Sequence, residues 1–173
     1  MATTGTELAS LFLTSSRNTL FNEHWPRLKA CVEPLTVDQI WWRPNEASNS
    51  VGNLILHLNG NVTQWIVSSF NRDEDKRERP AEFSAVGGLT ATELLERLGV
   101  TLNEAAKVLD RLTVDELLAP YEIQGYKARG LDAVYHAVDH FGLHFGQIEY
   151  IAKILTGKDL GFYKELDKTG RAS

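Results

Sequence analysis

The chain has 173 residues, of which 43% are hydrophobic and 24% charged, with a formal net charge of −5. That length fits one domain spanning 1–173, with enough chain to bury a hydrophobic core. The Lys and Arg residues are spread out rather than clustered, which excludes the basic face that phosphate binding needs, so no nucleic-acid partner is expected.

The single cysteine, Cys31, excludes an intramolecular disulfide and a Cys-rich zinc site. It lies on an amphipathic segment without a basic neighbourhood, and is read as a buried, inert thiol. The start of the chain lacks the basic-then-apolar pattern of a signal peptide. No apolar run approaches the ~18 residues of a membrane span. A cytoplasmic protein without a membrane partner is the expectation.

The first periodic segment covers residues 6–32, with Leu8, Leu11, Phe12, Leu20, Trp25 and Leu28 in steps of three and four. Pro26 lacks an N–H and clashes one turn back, so a kink or break is expected there; Pro34 stops the helix. Residues 35–49 form a connector in which Trp41 and Trp42 are expected to fold back over the bundle end, because indoles are costly to expose. Asn49 or Ser50 caps a second helix that runs to about Phe70, with Val51, Leu54, Leu58, Val62 and Trp65 on its inner stripe.

Residues 71–88 change character. The charged run 73–79 is read as a solvated loop rather than a partner surface, and Gly87-Gly88 ends it. Thr90 and Glu93 form a capping box that opens the third helix, whose apolar face includes Leu94, Leu98, Leu102, Val108 and Leu109. Tyr121, Ile123 and Tyr126 mark a short extended stretch, too short to found a sheet. The fourth helix covers about 131–156, with Gly157 as its terminating glycine. Its seam, from Val134 through Phe141, Phe145 and Ile148 to Leu155, follows the spacing of bundle helices. The fold class is therefore all-α: a four-helix bundle with long connections.

Three of the five histidines, His136, His140 and His144, sit four residues apart on the fourth helix. Measured from Phe141, His144 lies about 60° off, His140 about 100° and His136 about 140°. His140 and His144 are thus the inward pair, and imidazoles one turn apart can converge on one ion. His57 borders the stripe of the second helix in the same way, about 100° from Leu58. Asn61 flanks His57 and Gln147 flanks the other pair; both are candidates for second-layer or substrate hydrogen bonds, with plain surface or capping roles as the alternative. His24 is read as a hydrogen-bonded core histidine, and His136 at the rim is read the same way. A zinc-protease motif is excluded because Phe141, not Glu, follows His140. No phosphate loop, nucleophile elbow or Glu-x-x-His di-iron pattern occurs.

His57-Leu58-Asn59-Gly60-Asn61 with Trp65, followed much later by His140-Phe141-Gly142-Leu143-His144-Phe145-Gly146-Gln147, resemble the DinB-like (DinB/YfiT-like) superfamily of helical-bundle metalloproteins. Trp41-Trp42-Arg43-Pro44, Ser50-Val51-Gly52-Asn53-Leu54 and Arg79-Pro80-Ala81-Glu82-Phe83 are similar to stretches of an uncharacterised bacterial subfamily, and the likeness covers nearly the whole chain. The resemblance implies a four-helix bundle, often dimeric, with a three-histidine metal site falling on His57, His140 and His144. Relatives include transferases that attach small thiols to electrophiles and an isomerase acting on a thiol adduct.

One divalent metal ion per chain is expected, zinc or nickel first and iron as a further candidate, since all-nitrogen ligation suits several metals. Three neutral imidazoles leave a coordination position open, as catalytic zinc sites do. Three readings follow: a metal-dependent transferase using a small thiol, a metal-dependent hydrolase, or a non-catalytic metal-stabilised bundle acting through partners. No catalytic residue is assigned. Glu149, about 80° from Phe141 on the far side of the seam, is poorly placed as a base. Trp41, Trp42 and Tyr150 are read as packing rather than as a ligand pocket.

Overall fold

Apolar periodicity in the sequence becomes four helical rods in a computed structural model that describes residues 4–164. The leader reading at residues 1–3 and the end of the one-domain span, 165–173, lie outside the described residues.

The first rod joins α1 (Thr4–Arg17), a π-helical stretch (Asn18–His24) and α2 (Trp25–Val32) without interruption. Of the kink or break expected at Pro26, a break does not occur. Pro26 stands in the first turn after the π-helical stretch, and the wider hydrogen-bond spacing there relieves the clash that a regular helix would impose. Leu20, Leu28, Cys31 and Val32 are fully buried. Burial, with Glu149 nearby, pushes the Cys31 thiol up to about 12, so it is inert as a nucleophile.

The connector contains α3 (Val37–Trp41), opened by a capping box of Thr36 and Gln39. Trp41 folds back as expected. Its ring lies so close to Gly52 that a Cβ there would come within 2.8 Å, and its indole N–H donates to the Leu89 carbonyl at 2.9 Å. Trp42 does not follow it. The backbone turns extended at Trp42, and the side chain stays 37% exposed.

The second rod joins α4 (Val51–Val62), a second π-helical stretch (Thr63–Ser68) and α5 (Ser69–Asn71), and ends at left-handed Arg72. Ser50 and Asn53 form its capping box. The segment read as a solvated loop is only partly so. It contains α6 (Arg79–Ser84), and Arg77 and Glu82 are turned inward with side chains 5% and 10% exposed.

The third rod is α7 (Ala91–Arg111), capped by Thr90 and Glu93 as the sequence predicts; such a cap is worth about 1 kcal/mol. After α8 (Val114–Leu118), the extended stretch forms a two-stranded antiparallel hairpin, β1 (Pro120–Ile123) and β2 (Tyr126–Arg129). Ile123 pairs with Tyr126 across Gln124-Gly125, both at positive φ, which is the two-residue turn that matches strand twist. The fourth rod, α9 (Gly130–Thr156), starts against α8 so closely that a side chain at Gly130 would strike the Glu116 carbonyl. Gly157 ends it in the left-handed conformation.

α4 packs on α7, α6 and α9, and α9 also packs on α2. The α9 seam of Val134, Phe141, Phe145, Ile148 and Ala152 is buried at the centre of one core. Among the described residues no helix is long and apolar enough to cross a membrane.

Candidate metal centre

The Ser50–Asn53 box does more than start α4. Asn53 is fully buried; its amide donates to the carbonyls of Glu82 (2.9 Å) and Ala85 (2.8 Å) and its oxygen accepts from Arg43 (2.8 Å). These bonds tie α6 to the first turn of α4. One turn further on, His57 is therefore covered by α6 on one side and faced by α9 on the other.

His57, His140 and His144 come together, each offering a ring nitrogen within 4.8 Å of the other two. His57 is 3% exposed and the other two are partly buried. The His57 and His140 Nε2 atoms are 2.8 Å apart. Ring centroids lie 5.0 Å apart for His57 and His140, 4.9 Å for His57 and His144, and 4.4 Å for His140 and His144. Burial lowers His140 to about 3, and the neighbouring His144 and His57 push the same way. Burial also lowers His144, against the Gln147 hydrogen bond that raises it. Both rings are neutral near pH 7, the form in which imidazole binds metal.

Two of the three rings, His57 and His144, have a partner on the far nitrogen. His144 Nδ1 donates to Gln147 Oε1 at 2.8 Å, which turns Nε2 towards the cluster. His57 Nδ1 lies 2.8 Å from Glu82 Oε2. Arg77 holds that carboxylate with two bonds, Nε to Oε1 at 2.6 Å and Nη2 to Oε2 at 2.8 Å. Arg77 also donates to Gln64 Oε1 at 2.8 Å, and Gln64 in turn donates to Asp75. Burial pushes the Glu82 carboxyl up, but the hydrogen bonds and charges of Arg77 and His57 outweigh it, so the group sits below the ordinary carboxylate range.

The sequence candidates divide accordingly. Gln147 stands on His144. Asn61 does not reach the three histidines; its amide lies 3.3 Å from His136 Nε2, and its oxygen is buried with no partner. His136 stacks on Trp65 (centroids 3.9 Å) and beside His140 (5.1 Å), outside the three-nitrogen group. His24 departs from the hydrogen-bonded role expected for it. Its ring packs against Phe141 and Phe145, and its Nδ1 is buried without a partner. Glu149 pairs with Lys153 at 2.6 Å.

Glu82 and Arg77 were missed as site residues, because periodicity within a helix says nothing about a residue 25 positions away. One signal was available. Gly60 inside a helix costs about 1 kcal/mol relative to Ala, which points to a close approach. A Cβ at Gly60 would collide with the Glu82 carboxylate and with Arg77 Nε.

The donor set fits a divalent ion. Three imidazoles, two of them with the far nitrogen engaged, make an open tripod, the donor type of catalytic zinc sites. The 2.8 Å spacing of the His57 and His140 nitrogens is somewhat shorter than the ~3.3 Å between ligands of a tetrahedral site, a difference small side-chain rotations absorb.

A family model described as "Protein of unknown function (DUF1572)" matches residues 7–164. No curated protein matches the chain. Among solved structures, a conserved protein from Enterococcus faecalis is 18% identical, with 88% of this chain and 98% of that chain covered at a TM-score of 0.68. A DinB-like protein from Bacillus cereus is 13% identical, with 86% and 93% covered at a TM-score of 0.65. At these identities the likeness is one of fold, and it agrees with the DinB-like resemblance carried by the sequence motifs.

Proposed function

The chain belongs to the DUF1572 family and has the DinB-like fold, and from that premise we propose that it binds one divalent metal ion through His57, His140 and His144 and works as a transferase joining a small thiol to an electrophile. The observation that carries this reading is the ligand set: three imidazole nitrogens and no carboxylate. When bound, a divalent ion with its charge uncancelled stabilises the anionic form of a thiol, the form that attacks an electrophile. Zinc or nickel suits the nitrogen donors first, iron next.

In this reading Glu82 and Gln147 hold the rings of His57 and His144, and burial favours the unprotonated form of His140 and His144. The thiol gives its proton to solvent, its sulfur lone pair forms the C–S bond, and the bonding pair departs with the leaving group of the electrophile. Reduced small thiols are kept in reducing compartments, which agrees with a cytoplasmic location. Hydrolysis is less well supported because it needs a general base. Glu82 is bound by Arg77 and His57, and Glu149 by Lys153.

The test uses untagged protein loaded with zinc or nickel, a small thiol and a chlorodinitrobenzene as electrophile. Thiol-dependent conjugation well above the rate of free metal, lost in His57→Ala, supports the proposal. Hydrolysis of simple esters without thiol would move the assignment to a hydrolase. A bound metal with neither activity would leave a metal-stabilised bundle that acts through partners.

A homodimer belongs to the same reading. Tyr135, Leu143, Tyr150 and Ile154 are exposed on α9 within one arc of about 100°, and large apolar side chains gathered on one exposed face are a feature of interfaces. Sedimentation equilibrium is expected to give a dimer for the wild type and a monomer for Leu143→Glu. A monomeric wild type rejects the dimer.

A further inference from the structure

Beside the histidine cluster lies an ion pair that packing alone does not explain. Arg77 and Glu82 have side chains 5% and 10% exposed. Two charges withdrawn from water cost desolvation that their attraction only partly returns, and apolar residues of the same volume often serve stability as well or better. Gly60, costly in mid-helix, leaves the space they occupy. Two unfavourable choices thus converge on one feature, whose inner end is His57 Nδ1.

That nitrogen has two neighbours of opposite demand. Glu82 Oε2 lies at 2.8 Å and only accepts; Arg77 Nη2 lies at 3.0 Å and only donates. Nδ1 serves one of them. Arg77 Nη2 has Glu82 Oε2 at 2.8 Å and the His57 carbonyl at 3.4 Å as other acceptors. If Nδ1 accepted from Arg77, the ring hydrogen would sit on Nε2, pointing at His140 and blocking the lone pair. If Nδ1 donates to Glu82, Nε2 keeps its lone pair, directed into the histidine cluster.

We infer that Glu82, oriented by Arg77 in the space left by Gly60, is the positioning residue that holds His57 as its Nδ1–H tautomer and thereby sets the affinity of the centre for its metal ion. The inference rests on the reading of His57 as a ligand. It adds that the segment after α4, and not only the histidines, determines metal affinity.

Two measurements test it, one without metal. In metal-free protein, histidine ¹⁵N shifts report the tautomer. His57 is expected as Nδ1–H in the wild type and as a mixture or as Nε2–H in the paired variant Arg77→Met/Glu82→Leu, which removes both charges together and so leaves neither stranded. Zinc affinity by chelator competition is expected to weaken about 10–100-fold in that variant and in Glu82→Gln, with helical content unchanged. An unchanged tautomer, or wild-type zinc affinity in the paired variant, overturns the inference. A wild type that takes up no zinc at all sinks the ligand reading and with it the claim about affinity, while the tautomer comparison still decides whether Glu82 orients His57.

Discussion

His140→Ala is expected to abolish the rise in melting temperature that zinc or nickel gives the wild-type protein. A ligand that binds only the folded state stabilises it by about 4 kcal/mol at a free concentration of about 1,000 times its dissociation constant. For a chain of this size, about 2–4 °C per kcal/mol converts that to a rise of about 8–16 °C. His140 is the residue to remove because it lies close to both of the others, with its Nε2 at 2.8 Å from that of His57 and its ring 4.4 Å from that of His144. It is only partly buried, so its loss leaves no large cavity, and the metal-free variant should match metal-free wild type within about 1 kcal/mol. Thermal melts with and without metal, beside elemental analysis, make the check. An equal rise in wild type and variant would mean that the ion binds elsewhere, and no rise in either would return the histidines to a packing role.

The next residue carries the largest expected effect on folding. Phe141→Ala should cost about 3–5 kcal/mol, a large share of the ~5–15 kcal/mol that stabilises a typical domain. Phe141 is fully buried on the inner seam of α9, and the His24 ring lies nearly parallel to it at 6.3 Å between centroids. Rods on several sides hold the surrounding backbone, so the space left by the ring closes only in part. Denaturant unfolding of metal-free protein measures the loss directly. A cost below about 1 kcal/mol would show that the site collapses freely and that the seam is more plastic than its burial implies. Because Phe141 and His140 are consecutive, the seam that anchors α9 also fixes the direction of the ligand pair.

The rods and the three histidines were legible in the sequence because both rest on helix periodicity. A helix repeats every 3.6 residues, so Phe141 and Leu58 define inner faces from which the bearings of His140, His144 and His57 follow by arithmetic. Capping boxes were legible for the same reason: Thr90 with Glu93 is a contact within one turn. Gln147 on His144 is another local bond, three residues apart.

What tertiary structure alone decided is everything that joins residues across gaps without a period. Trp41 and Trp42 look alike in sequence, but the backbone turn between them buries one against Gly52 and leaves the other at the surface. Pro26 promised a kink or a break, and the chain stays helical there through a π-helical stretch. The charged run that reads as solvent-facing sends Arg77 inward, because Asn53 draws the chain of α6 across α4 and Gly60 leaves room beneath it. Local patterns encode which face of a helix is apolar; they carry no information about which distant loop is laid over that face. The Arg77–Glu82 pair beside His57 is brought there by such a distant segment, so it came into view only when the chain was folded.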